Sequence, residues 1–191
     1  MLLLLASAST AEACSLAEKT GKLSDWLDDK IVFWGFPLES RWDDTRTYGS
    51  PAGTTLTTID VVKPLKGHVS GQVKVYHHQN SAACGHNFPL GEMDIIILPD
   101  DSQDDIYTSS SYYFEQIDPV TIWAFLMHNI DVDFKDLNKF YKELYSGEET
   151  SCDDNGNENV SYCNWIDTRY SITKKWTTES NELRKFYIAN Q

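Results

Sequence analysis

Between Thr54 and Leu98 the hydrophobic and polar positions alternate as they do in strands. Gln72–His78 is the cleanest stretch, with Val73, Val75 and His77 on one face and Gln72, Lys74, Tyr76 and His78 on the other. Successive side chains of a strand point to opposite faces, so this pattern predicts a strand with one buried side. Ile95–Leu98 is a continuous apolar run closed by Pro99, as expected of a strand buried on both faces. Thr54–Lys63 is β-branched and ends at Pro64. In it Leu56 and Val62 share a face with Asp60, which predicts a bulge that re-phases the strand. Ile31–Phe36 reads as an earlier strand, bent at Gly35 and edged or ended by Pro37. A further strand is expected within Ile106–Ile117. Between these lie a turn from Lys66-Gly67 to Gly71, a loop over Asn80–Gly91, and a long loop over Leu38–Gly53 carrying Trp42, Asp43, Asp44 and Tyr48. Loops longer than about 12 residues are often functional.

The helical signals come mostly after residue 117. Ser24 is read as the N-cap of a short helix through Leu27. Asp118-Pro119 has the cap-then-proline order of a helix start, and Val120–Met127 would follow as a short buried helix. Asp133 is placed to cap the next helix, with Val132 stapled onto Leu137. Leu137, Phe140, Tyr141, Leu144 and Tyr145 follow helical spacing, and Ser146-Gly147 ends the run. Glu148–Asn159 is polar and acidic and reads as a solvated hairpin tip. Asp153, Asn155 and Asn157 imitate a calcium loop, but Glu158 and Asn164 stand where that loop needs glycine and glutamate. A last helix is expected over Glu179–Ala189, with Leu183, Phe186 and Tyr187 on its buried side.

Composition narrows the function. The chain of 191 residues carries 16 basic and 29 acidic side chains, a net charge of −13. That balance argues against nucleic acid, whose phosphates are bound through Lys and Arg, and against anionic membrane surfaces. The start, MLLLLASASTAEAC, has a leucine run followed by Ala11-Glu12-Ala13, which resembles a secretory signal with its cleavage site. Residues 1–13 are therefore read as a signal peptide, too short to span a membrane, and cleavage would make Cys14 the mature N-terminus. Four cysteines in an exported chain suggest two disulfides, with three connectivities open.

The ordered set Lys66-Gly67, Gly71-x-Val73-x-Val75, Cys84-Gly85, Phe88 and Gly91, followed by an apolar strand, resembles the core of the tissue inhibitors of metalloproteinases and their netrin-like relatives, including bacterial TIMP-like proteins. Ile31-Val32-Phe33-Trp34-Gly35 extends the likeness upstream, so that it covers residues 24–98 and Cys14. The resemblance implies a mainly β fold, a five-stranded OB barrel, here over residues 14–118 with a C-terminal helical extension over 119–191. The favoured disulfides are Cys14–Cys84 and Cys152–Cys163, the second closing a short loop in the extension. The resemblance also implies an inhibitory site at Cys14 and Ser15. The free α-amine and carbonyl of Cys14 would chelate the catalytic zinc of a target metalloprotease, displacing its water, and Ser15 would enter the specificity pocket. The amine must be neutral to donate its lone pair, and its reference pKa of about 7.7–8.0 permits that. A Cys14–Cys84 bridge would hold the terminus rigid and lower the entropy lost on binding. One feature departs from the animal family: Leu16 stands where those inhibitors have a second cysteine.

Other chemistry has less to stand on. His68, His77, His78 and His86 cluster in sequence, with His128 apart, but His77 and His78 would face opposite ways and no H-x-H or HExxH spacing occurs. They are read as exposed residues at the barrel end. No G-x-S-x-G elbow is present, and the pairs Asp43-Asp44 and Asp104-Asp105 are read as solvated. The expectation is a secreted or periplasmic monomer without catalytic residues or a cofactor of its own, partnered by a zinc metalloprotease. The alternative is a non-inhibitory netrin-like module that binds another protein.

Overall fold

A computed structural model of the chain describes residues 20–46, 53–78, 88–100, 106–108, 117–146 and 160–190. Their order is α1 (Leu23–Leu27), β1 (Lys30–Trp42), β2 (Thr55–Lys66), β3 (Gln72–His77), β4 (Asp94–Pro99), β5 (Ile106–Thr108), α2 (Pro119–His128), α3 (Phe134–Ser146) and α4 (Val160–Ala189). The five strands form one sheet in the order β4-β1-β2-β3-β5. β1–β2, β2–β3 and β1–β4 are antiparallel, and β3–β5 is parallel. Three consecutive strands with the fourth returning beside the first make a Greek key. β4 and β5, at opposite ends of this order, come back into contact, so the sheet is curled into a half-barrel.

The alternation of each strand decides which of two cores it feeds. Ile31, Phe33, Ile59, Val73, Val75, Ile96, Leu98 and Tyr107 point inside the curl with Phe88. Val32, Trp34, Ile95 and Ile97 point outside, against a helical layer that contributes Leu23, Leu27, Ile122, Trp123, Leu137, Phe140, Ile166 and Ile172. β4 is thus buried on both faces, which is why its sequence is unbroken Ile and Leu. Each such buried side chain contributes about 1.5–3 kcal/mol. On β3 the expected face of Val73, Val75 and His77 is the buried one.

β2 runs past Pro64, which was expected to end it, and β1 runs past Pro37, which was expected to mark an edge or an end. Pro37 lies inside β1, where its carbonyl accepts from Gly91 N at 2.9 Å. That flank lies beyond the last β1–β4 pair, Gly35 with Asp94, so no ladder donor is lost to the proline ring. Pro64 lies in β2 past the last β2–β3 pair, Asp60 with Gln72. The register of β1 on β2 shifts three times, leaving Leu65, Val62 and Leu38 as the extra residues. The shift at Val62 is the predicted re-phasing, since Val61 packs on the inner core and Val62 on the outer. Because β1 continues to Trp42, residues 38–42 are strand and not loop. β5 is Ile106–Thr108, and residues 109–116 of the expected fifth strand lie outside the described residues.

Two helices start where predicted. Asp118 accepts from Thr121 N at 3.2 Å with Pro119 in the first turn of α2. Asp133 accepts from Lys135 N at 2.8 Å, and Val132 and Leu137 share the outer core. Ser24 is not a cap. It lies within α1, and its N–H and hydroxyl both donate to the Asp131 carboxylate, at 3.0 and 2.8 Å. α4 is the largest correction, running for 30 residues from Val160 where a helix was expected from Glu179. Its Thr173, Thr177 and Thr178 hydroxyls donate to carbonyls four residues back, at 2.8, 2.9 and 2.9 Å, so groups that favour turns are absorbed by the helix itself. Trp34 stacks on Trp176 with centroids 6.2 Å apart, holding α4 to the outer face of β1. Phe186, expected on its buried side, is 68% exposed, whereas Leu183 and Tyr187 are half-buried.

Candidate functional site

The site to which the sequence points is one end of the half-barrel. There β1 ends, β2 begins and β3 ends. Trp42 pairs with Thr55, and Thr55 pairs with His77, so the last residues of β1 and β3 and the first of β2 meet in one row. Asp43 N continues the ladder to the Thr54 carbonyl at 2.8 Å. Gly53 closes the row from above with φ +82°, and a Cβ there would lie 2.2 Å from the His77 carbonyl carbon and oxygen. Only glycine lets the hairpin backbone lie on the His77-His78 peptide.

Asp43 organises the hairpin foot. Its Oδ1 accepts from Thr45 N at 3.0 Å and from the Thr45 hydroxyl at 2.5 Å, an Asx-turn. Its Oδ2 accepts from the Tyr76 hydroxyl at 2.6 Å. The Arg46 guanidinium lies over the Tyr76 ring, 3.6 Å from its centroid, and reaches the Gly53 carbonyl at 3.5 Å. The hydroxyl of Thr45, then that of Tyr76, hold the Asp43 pKa down at about 2. The same bond to Asp43 pushes the Tyr76 phenol up. Asp43 is therefore an organising acid that stays partly exposed, while Asp44 is exposed. Beside this clamp Trp42 is 58% exposed and caps neither core.

Inside the same end, His77 is buried, which corrects the expectation of an exposed histidine. Its Nε2 meets the Thr57 hydroxyl at 2.7 Å, the Thr57 hydroxyl meets that of Ser40 at 2.6 Å, and the Phe88 ring abuts the imidazole at 4.9 Å. The Ser40 hydroxyl thus meets Thr57, which stands between it and the imidazole. Phe88 is where the chain re-enters the core after the loop that begins beyond His78. His78 and Phe88, the described residues on either side of 79–87, thus both lie at this end.

Cys14, Ser15, Cys84 and Cys152 lie outside the described residues, as do His86, Tyr48 and the acidic stretch 148–159. Cys163 lies in the first turns of α4, so its backbone is helical. His128 packs edge-on against Trp123 at 4.9 Å, far in sequence from the other histidines. Among the described residues no three His, Cys, Asp or Glu side chains group as metal ligands. Sequence reasoning missed Thr45 and Arg46. The Asp-x-Thr spacing of an Asx-turn was the available signal for the first, and nothing in the sequence announces the second. No protein-family model, curated protein or solved structure matches the chain.

Proposed function

We propose that this chain is an exported OB-barrel inhibitor of a zinc metallopeptidase, of the TIMP and netrin-like kind, acting through the α-amine and carbonyl of Cys14. The observation that carries the reading is the convergence at one barrel end. The β1–β2 hairpin foot and both ends of the segment bearing Cys84 meet on the His77 row. The Greek-key order, the parallel β3–β5 pair and the return of β5 toward β4 support the OB assignment, that fold being a five-stranded, partly open Greek-key barrel. An inhibitor of this kind needs a stiff edge, because a preorganised surface loses less entropy on binding. The Asp43, Tyr76 and Arg46 clamp supplies stiffness beside the loop to which Cys14 would be bridged.

The test is a panel of zinc metallopeptidases assayed with protein whose N-terminus is verified as Cys14. One alanine added before Cys14 turns the amine into a peptide nitrogen without a lone pair, and inhibition is expected to vanish while the fold persists. Equal inhibition by the extended protein would refute chelation. A second reading, a binding module that does not inhibit, is favoured by Leu16 in place of a second N-terminal cysteine and by exposed Trp42 on the clamped hairpin. A rigid, exposed tryptophan is a common anchor of protein interfaces.

A further inference from the structure

A cleft of about 470 Å³ opens where the C-terminal turns of α4 cross the ends of β2 and β3. It is lined by Asp60, Val62, Gln72, Leu183, Phe186 and Tyr187, among others. Its size falls in the range of small-molecule sites. The helix gives it one apolar wall, since Leu183, Phe186 and Tyr187 recur at helical spacing and Lys185 falls on the opposite face. The Phe186 ring, 68% exposed, is free of the core and forms the rim. Gly71 also lines the cleft, and a Cβ there would meet nothing within 4 Å beyond its chain neighbours.

The charge in the cleft is one-sided. Lys63, its cation, is matched by Glu179 at 2.8 Å. Among the described residues Asp60 has no such ion: its Oδ2 accepts from the Tyr187 hydroxyl, a neutral donor. A carboxylate held by a phenol, beside a phenyl face and aliphatic walls, suits a cation with an apolar body. A carboxylate attracts the charge, and an aromatic face attracts it again through its quadrupole. The net charge of −13 draws such a cation toward the molecule.

We propose that this cleft binds a small organic ammonium ion, its charge on Asp60 and its body against Phe186, Leu183 and Val62. The inference is independent of the inhibitory reading, which concerns a different end of the sheet. The test uses the full chain, ¹⁵N-labelled, titrated by NMR with hexylammonium, with hexanol as the neutral isostere and hexanoate as the anion. Hexylammonium is expected to give saturable shifts at Gln72, Leu183 and Phe186, with hexanol at least about tenfold weaker and hexanoate without effect. Asp60→Asn, which keeps an acceptor for the Tyr187 hydroxyl, should weaken hexylammonium by about tenfold. Phe186→Ala should weaken it about two- to fivefold. Equal binding of hexanol and hexylammonium overturns the proposal without any variant. So does undiminished binding to folded Asp60→Asn, or shifts that map elsewhere.

Discussion

The Tyr76 hydroxyl donates to Asp43 Oδ2 at 2.6 Å, tying the third strand to the foot of the hairpin that joins the first two. The Thr45 hydroxyl and then this bond hold Asp43 down at about 2, and the bond to Asp43 pushes Tyr76 up. For Asp43 the folded pKa lies below the unfolded one, so its contribution is complete above about pH 4 and is lost as pH falls through about 2. For Tyr76 the neutral phenol is the favoured form, so its contribution is present below the ordinary tyrosine pKa and is lost as pH rises through the raised one. The Thr45 amide resonance should therefore titrate with a midpoint about 2. Asp43→Asn should abolish that titration and bring the Tyr76 absorbance titration back toward ordinary tyrosine. A Thr45 midpoint near that of an ordinary aspartate would contradict the clamp.

Gly53 and Gly71 make a matched pair of tests. Both have positive φ, at +82° and +70°, but only Gly53 has backbone where a Cβ would go. Gly71→Ala should cost about 1–2 kcal/mol, the strain of a left-handed alanine alone. Gly53→Ala should cost clearly more, because the hairpin must also lift off the His77-His78 peptide. Urea denaturation of the two variants measures the difference. Equal losses would mean that the hairpin foot is not seated on β3.

Thr57 stands between half-buried Ser40 and buried His77. Thr57→Val keeps the shape and removes the hydroxyl that both neighbours use. The expected loss is about 1–3 kcal/mol, the range for a buried polar group deprived of a partner. Thr57→Ser should recover most of it. Calorimetric melting of the three proteins would decide, and a neutral Thr57→Val would sink the claim that the hydroxyl organises this end.

Strands were the legible part of this fold, because alternation is a local property that burial rewards directly. The two-faced burial of β4 was visible in its unbroken Ile95–Leu98 run, and the bulge at Val62 in the conflict between Val62 and Asp60. Strand ends were less legible, since whether Pro37 and Pro64 interrupt a strand depends on which flank still has a neighbour. α4 was half-hidden for the opposite reason. Its middle is rich in Thr and Ser, which read as turn formers until tertiary packing through Ile166, Ile172 and Trp176 outweighs propensity. At this end of the half-barrel, the sequence singled out Trp42, Asp43 and His77 but misjudged the burial of His77 and missed the bonds that Asp43 makes. The partners of Asp43 and His77, namely Tyr76 and Thr57, are 33 and 20 residues away, and no local pattern announces a pairing at that range.

Phe186 and Tyr187 are neighbours whose fates divide on α4. Tyr187 packs on Phe36 with centroids 4.6 Å apart and donates its hydroxyl to Asp60. Phe186 is 68% exposed at the cleft rim. Removing the Tyr187 hydroxyl takes one partner from Asp60, so Tyr187→Phe should cost about 0.5–1.5 kcal/mol. Tyr187→Ala should cost more, since it also strips the ring from Phe36. Phe186→Ala should stay within about 0.5 kcal/mol of the parent, as surface changes usually do. The urea midpoints should fall from Phe186→Ala, nearest the parent, through Tyr187→Phe to Tyr187→Ala. A large loss on Phe186→Ala would mean that its ring is buried in solution, which would close the cleft and turn the last turns of α4 by about one residue.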